Sequence, residues 1–350
     1  MNVISFFKSL LPHKRPDKNH YGRFLGSFNI FRIISWNMFH PNRIINRLLW
    51  NTLFNFYSLK IKKYLREGID KKLFSKFNFF LNNGGVIIDD YFNVQKINNF
   101  LHEYKNLIED EKKLIINDDS NISEYRKISL PLSQPLLDLW LDDGLIKFIE
   151  SFLNNKNIYA REYPRLIYTK YLLDEPLTSK GFDNNSFVNK KINGPYFWHV
   201  DHTAGHVNLH ILLKDVDTYS THMQFLPGSN NYLNSGSLYS DEVVDSFKNQ
   251  PINCIGKKGT VYFHQGNTLH KVLGKNNSDR LSLIFSFSKG AGIEMDCRKI
   301  AQSFSTNFDL SKLSQKKRNI LQGIFPLSGT NSVVDQNLIK PRFSENSSDI

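Results

Sequence analysis

"GPYFWHVDHTAGHVNLHILLK", Gly194 to Lys214, decides the fold, because it reads either as a metal-binding helix or as extended chain. His202 and His206 stand four apart, as in the H-E-x-x-H helix of metalloproteases. Thr203 nevertheless occupies the place of the general-base glutamate, and Gly205 weakens a helix. Val207, Leu209, Ile211 and Leu213 alternate with Asn208, His210, Leu212 and Lys214, which is the period of a strand. The protease reading falls, and extended geometry changes which side chains can act together. Residues i and i+2 of a strand share a face, so His199 and Asp201 offer an imidazole and a carboxylate to the same side.

Outward from this stretch, "RLIYTKYLL", "THMQFLP", "GTVYFHQ" and "RLSLIFSFS" are short, alternating or β-rich, and Gly, Asn, Asp and Pro separate them. Before them the texture is helical. A short strand at Val86 to Ile88 and a turn at Asp89-Asp90 lead into an amphipathic helix carrying Val94, Ile97, Phe100, Leu101 and Ile108. A second helix covers "LPLSQPLLDLWLDDGLIKFIESFL", interrupted near Gly144. Helices followed by many strands predict an α+β domain with a β-sandwich or barrel core. The long polar stretch "DEPLTSKGFDNNSFVNKKING" is placed to act as a lid.

The chain has 350 residues with 40% hydrophobic and 13% aromatic content, enough for one large core with extensions. Two cysteines, Cys254 and Cys297, cannot form a disulfide framework, and no leader pattern or long apolar run is present, so a cytoplasmic protein is expected. The net charge of +12 is not evenly spread. Residues 1–76 hold 15 lysines and arginines against three acids, Asp17, Glu67 and Asp70, so the whole excess sits there. Trp36, Trp50, Phe54 and Phe56 lie among these basic residues. Such a segment either lies on an anionic membrane surface, making the protein membrane-peripheral, or packs its apolar face on the main domain. Specific nucleic-acid binding is not expected. The divisions are thus a basic, aromatic-rich extension at 1–76, the main domain at 77–295, and a C-terminal helix with a polar tail at 296–350.

Seven of the eleven histidines fall between His199 and His270. His199 and Asp201 need a third ligand, and His270 supplies one after the strand "GTVYFH" and the tight "QGNT" loop. Two histidines and one carboxylate, with three positions left open, suit non-haem Fe(II) and oxygen chemistry. Ten residues later Arg280 opens "RLSLIFSF" and shares a strand face with Ser282, Ile284 and Ser286. A guanidinium beside a hydroxyl makes a fork for a carboxylate held near the metal.

In these elements the sequence resembles the phytanoyl-CoA dioxygenase-like branch of the Fe(II)/2-oxoglutarate oxygenases. The resemblance runs from about Phe80 to Gly290. It is carried by "NNGGVIIDDYFNVQKINNFLHE", "YTK" at Tyr168 to Lys170, "WHVD" at Trp198 to Asp201, "LLKDVD", "MQFLPGSN", "GTVYFHQGNTLHKV" and "RLS", in the family's order and spacing. The resemblance implies a double-stranded β-helix, or jelly-roll, core with flanking helices and a helical N-terminal extension. It implies Fe(II) on His199, Asp201 and His270, with Arg280 and Ser282 gripping the distal carboxylate of 2-oxoglutarate and Lys170 a further residue of that pocket. The implied activity is hydroxylation by O2 of a small-molecule or lipid-like substrate, coupled to conversion of 2-oxoglutarate to succinate and CO2. Asp201 favours hydroxylation over halogenation, since halogenating relatives lack a carboxylate there.

The chain departs from the family at Val200, where Gln is frequent, and at Asn230, where His is common after "PGS". Two other readings stand beside this one: a non-catalytic β-helix binding module, and a cupin-type metal enzyme that uses no keto acid. The intact ligand set weighs against the first, and the Arg280 clamp against the second. Of the remaining histidines, His210 is expected on the interior of its strand, His264 packed near the site, and His202, His206 and His222 in loops or at the surface.

Overall fold

The computed structural model describes residue 69 and residues 71–110, 123–153, 158–161, 164–178, 194–201, 206–231, 238–239, 241–245, 247–288 and 310–321. Most of the basic N-terminal segment, His202 and most of the C-terminal region lie outside the described residues. The strands are β1 (Gly85–Ile88), β2 (Ser123–Ser129), β3 (Tyr159–Ala160), β4 (Arg165–Tyr171), β5 (Trp198–His199), β6 (His206–Leu212), β7 (His222–Phe225), β8 (Leu238–Tyr239), β9 (Ile252–Cys254), β10 (Val261–Gln265), β11 (His270–Leu273) and β12 (Asp279–Ser288). They form a seven-stranded sheet, ordered β1-β10-β6-β12-β4-β2 with β3 added on β12, and a five-stranded sheet ordered β8-β5-β11-β7-β9. Every pairing is antiparallel. From β4 to β7 the chain changes sheet at each successive strand, and it does so again from β9 to β12.

The large sheet is buried on both faces, for two different reasons. Val207, Leu209, Ile211, Val261, Phe263, Leu283, Phe285 and Phe287 belong to the main hydrophobic core. Helices α1 (Lys71–Asn83), α2 (Val94–Glu103), α4 (Gln134–Trp140) and α5 (Asp143–Leu153) bring apolar side chains to the same core. Phe148 stacks on Phe263 with ring centroids 4.6 Å apart, and Trp140 stacks on Phe285 at 5.9 Å. Each buried Leu or Phe contributes about 1.5–3 kcal/mol, so this face fixes the helices to the sheet. The opposite face carries Asn208, His210, Tyr262, His264, Ser282 and Ser286, which strand register places side by side. It looks toward the small sheet, where Met223, Phe225 and Cys254 pack against Leu212 and Tyr262.

The helices differ from the sequence reading in detail. The predicted helix from Val94 breaks at Tyr104 before the short α3 (Lys105–Asp110), and the second helix breaks at Leu141 and Asp142, just ahead of Gly144. There the Asp142 carboxylate accepts the backbone N–H groups of Gly144 and Leu145 and so starts α5. β2 was not expected. "SEYRKIS" lacks apolar alternation, but as the edge of its sheet it pairs on one side only, where charged residues are tolerated. α1 begins ahead of the boundary expected at 76/77, and its Leu73 is already in the main core. Of the C-terminal region, α7 (Gln315–Leu321) buries Ile320 and Leu321 in that core; the short α6 (Asp241–Asp245) precedes β9.

The "NNGG" junction ties this frame to the loop before β11. Gly84 closes α1 in a left-handed conformation (φ +77°), and its N–H donates to Phe80 O at 2.9 Å. Its carbonyl accepts Gln265 N at 2.7 Å and Thr268 Oγ1 at 2.8 Å. A Cβ here would lie 2.3 Å from Thr268 Oγ1, so only glycine permits the contact.

Candidate metal centre

β5 and β11 are paired so that His199 lies directly opposite His270. Directly opposed residues of an antiparallel pair point to one face, and the two ring centroids are 4.2 Å apart. Asp201 follows two residues after His199. Its Oδ1 lies 3.7 Å from His199 Nε2 and 3.6 Å from His270 Nε2. Among the described residues these three are the group of histidine and acidic side chains whose ligand atoms, all within 4.8 Å of one another, could hold one metal ion.

The tautomers suit that task. His199 Nδ1–H donates to Phe197 O at 2.8 Å, and His270 Nδ1–H donates to Thr268 O at 2.9 Å. Each bond fixes a proton on Nδ1, so the nitrogen turned to Asp201 is Nε2, the atom that carries the lone pair when the ring is neutral. Burial and the neighbouring His270 push the His199 pKa down to about 4. Burial also acts against charge on His270, but Asp201 outweighs it and raises the His270 pKa above 6.5. Burial would raise the Asp201 pKa, yet His270, His264 and His199 hold it well below the usual carboxylate range. The site is therefore arranged around a carboxylate that stays charged.

The second carboxylate oxygen has its own partner. Asn208 Nδ2–H donates to Asp201 Oδ2 at 2.5 Å. Asn208 Oδ1 in turn accepts from His206 Nε2 at 2.6 Å and from Ser286 Oγ at 2.5 Å. Arg161 Nη1 lies 2.8 Å from His206 Nδ1. Since a guanidinium only donates, His206 accepts through Nδ1 and donates through Nε2. The sequence reading gave Arg161 and Asn208 no role, placed His206 in a loop or at the surface, and named Ser286 only as sharing a strand face with Arg280. The signal lay in the polar alternation of β6, which reads as a solvent-facing side until a second sheet covers it.

The remaining histidines correct the sequence reading in part. His206 and His222 are not loop or surface residues: both sit in strands and are buried. His222 Nδ1–H donates to Ser220 O at 2.7 Å. His264 is packed beside the site as expected, its Nε2 4.0 Å from Asp201 Oδ2 and its ring centroid 4.2 Å from that of His270. His210 faces the interior, with Nε2 3.3 Å from His264 Nε2 and its ring stacked on Tyr262 at 4.5 Å. Burial, His264 and Arg280 hold His210 neutral, well below the ordinary imidazole range.

Arg280 and Ser282 lie on the same interior face of β12 and are buried. Arg280 Nη1 approaches Tyr262 Oη at 3.4 Å, while Arg280 Nε, Ser282 Oγ and Thr169 Oγ1 make no hydrogen bond among the described residues. Buried polar atoms left this way cost about 1–3 kcal/mol each, so the cluster is built to receive an acceptor. Thr169 stands directly opposite Arg280, whereas Lys170 stands opposite Asp279 and is half-buried. The register thus turns Lys170 to the other sheet face and does not bring it to Arg280 and Ser282. Val200 and Asn230 are both buried, and Asn230 Nδ2 donates to Leu81 O at 3.3 Å, a structural tie between α1 and the short 3-10 turn Ser229–Asn231 after β7. No helix among the described residues is long and apolar enough to cross a membrane.

Neither a protein-family model nor a curated protein matches the sequence. Among solved structures, the chain is similar to EctD from S. alaskensis in its apo form, with 17% identity over 61% of this chain and 76% of that one and a TM-score of 0.44. It is similar to the epimerase SnoN in complex with Fe3+, alpha ketoglutarate and nogalamycin RO, with 16% identity over 63% and 84% and a TM-score of 0.44. AviO1 from Streptomyces viridochromogenes Tue57 matches at 16% identity over 63% and 96%, with a TM-score of 0.42. Likeness this loose carries no weight for the chemistry, which stands on the residues above.

Proposed function

We propose that the chain is an Fe(II)- and 2-oxoglutarate-dependent oxygenase with a jelly-roll core, acting as a hydroxylase on a small-molecule or lipid-like substrate. The strand order supports the jelly-roll: two opposed antiparallel sheets are built from strands that alternate between them. One observation carries the chemical reading. A His199, Asp201, His270 ligand group and the buried Arg280 Nε and Ser282 Oγ, which have no hydrogen-bond partner among the described residues, belong to the same interior.

The donor set fits iron: two imidazole Nε2 atoms and one carboxylate oxygen on one side of an ion suit non-haem Fe(II) with open positions. Iron held by His199, Asp201 and His270 would supply the coupling of 2-oxoglutarate decarboxylation by O2, giving succinate and CO2, to hydroxylation of the bound substrate. The protein's own contribution is placement. Arg280 and Ser282 supply donors to the distal carboxylate of the keto acid, and Thr169, opposite Arg280, adds a hydroxyl. Asp201 stays ionised at neutral pH and His199 stays unprotonated, so neither loses its ligand lone pair. Met223, Phe225, Leu212 and Cys254 close one part of the space between the sheets and exclude water there. The basic N-terminal segment, by its composition, is proposed to bring the enzyme to anionic lipid.

The test is succinate formation from 2-oxoglutarate by the anaerobically Fe(II)-loaded chain on exposure to O2, with and without panels of candidate substrates. Turnover that depends on both iron and the keto acid supports the reading. Bound iron with no affinity for 2-oxoglutarate would overturn it in favour of a metal enzyme of another kind.

A further inference from the structure

We propose that Asn208, oriented by His206 and Ser286, confines Asp201 to ligation through one carboxylate oxygen and thereby keeps a metal coordination position open. The inference rests on the iron reading of the site, but it concerns what this chain does around that site. A carboxylate can bind a cation through one oxygen or both. The keto acid takes two positions and O2 a third, so a carboxylate closing on the ion with both oxygens would remove one of the three that the reaction needs.

Asp201 is divided between two surroundings. Oδ1 faces His199 Nε2 and His270 Nε2 at 3.7 and 3.6 Å, while Oδ2 is taken by Asn208 Nδ2 at 2.5 Å. The amide cannot turn to release it. Flipping Asn208 would set its NH2 group against the His206 Nε2–H donor, 2.6 Å away, and its carbonyl oxygen against the Asp201 carboxylate. His206 cannot switch tautomer to accommodate the flip, because Arg161 donates to its Nδ1 at 2.8 Å. All donors therefore point one way, from Arg161 through His206 and Asn208 to Asp201.

The frame around this chain of bonds is rigid. Asn208 lies on β6 between β10 and β12, in register with His264 on one side and Ser286 on the other. Asn208, His206 and Ser286 are all buried, so water is not at hand to replace a lost bond. The role is that of a positioning residue, since Asn208 acts on the ion through Asp201.

The experiment uses Mn(II) in the full chain and counts exchangeable inner-sphere waters by pulsed electron paramagnetic resonance in 17O-enriched water. Three protein ligand atoms leave about three waters in the wild-type chain, and Asn208→Leu should hold about one fewer, with Mn(II) affinity equal or higher. Equal water counts in the two proteins overturn the role of Asn208 alone. A wild-type chain that binds no divalent ion overturns the metal reading and this role with it. If Asn208→Leu fails to fold, the wild-type protein still decides. Its metal-minus-apo infrared difference spectrum should show the wide separation of carboxylate stretches that marks one-oxygen ligation, and a narrow, chelate-type separation overturns the proposal.

Discussion

His199 and His270, far apart in sequence, face each other across the β5–β11 pair and enclose the Asp201 carboxylate between their Nε2 atoms. Each ring is held by a bond from Nδ1 to the carbonyl two residues before it, so the pair is aimed before any ion arrives. Alanine at His199, Asp201 or His270 should reduce iron content and abolish 2-oxoglutarate turnover while leaving the apo chain folded. Iron analysis of the purified variants, beside circular dichroism, checks this. Wild-type iron in all three would remove the assignment.

The protonation of this group predicts a pH dependence of metal uptake. Asp201 raises the His270 pKa above 6.5 against the effect of burial, whereas His199 is pushed down to about 4. Near pH 6.5 the apo site therefore holds a proton on His270 and none on His199. An incoming ion must displace that proton, so binding should release about one proton and weaken about tenfold per pH unit below the His270 pKa. Calorimetry in buffers of different ionisation enthalpy measures the release. Uptake without proton release at pH 6.5 would show that His270 is not charged in the apo state.

Arg280 gives a prediction that separates the keto-acid clamp from the metal. Removing one partner of a buried, charge-assisted contact costs about 2–5 kcal/mol. Arg280→Ala should accordingly raise the apparent KM for 2-oxoglutarate by about 30-fold or more at unchanged iron content. Arg280→Lys keeps the charge and loses the fork, and should fall between the two. Steady-state succinate release reads both, and a KM that does not move places the keto acid elsewhere.

How much of this was legible in the sequence depended on which face of a strand carried the signal. His199, Asp201 and His270 could be grouped from the sequence because residues i and i+2 share a strand face and a third histidine follows a tight turn, and Arg280 with Ser282 because they share one face of a strand. Asn208 and His206 were not legible. Their strand alternates polar with apolar, the pattern of a half-exposed sheet, and only the second sheet turns its polar side into an interior. Lys170 failed for the complementary reason: motif position cannot tell which of two neighbours faces inward, and the β4–β12 register gives that place to Thr169. β2 escaped because an edge strand need not advertise itself with apolar alternation.

Cys254 offers a stability readout within the same interior. Its thiol is buried between the sheets, and burial pushes its pKa far above the ordinary thiol value. Little thiolate forms at neutral pH, so thiol reagents should ignore Cys254 in the native chain and modify it at the rate of unfolding. In a Cys297→Ser background the labelling rate should rise in step with urea. Fast labelling without denaturant would mean that the sheets separate under native conditions.

The last prediction concerns the segment that carries the whole charge excess. Residues 1–76 hold 15 basic residues against three acids, with tryptophans and phenylalanines among them. The full chain should co-sediment with anionic vesicles, and binding should weaken as added salt shortens the Debye length below its value of about 10 Å at 0.1 M. The choice of truncation follows from the fold: α1 starts at Lys71 and Leu73 is in the main core, so cutting at the boundary read from composition would remove packed residues. A chain beginning at Gly68 keeps that helix together with Ile69, which packs against the core. It should lose vesicle binding yet retain keto-acid turnover, because His199, Asp201, His270, Arg280 and Ser282 all lie far downstream. A full chain that ignores anionic vesicles at low salt, with a truncated chain that unfolds more easily, would show instead that the segment's apolar side chains serve the fold.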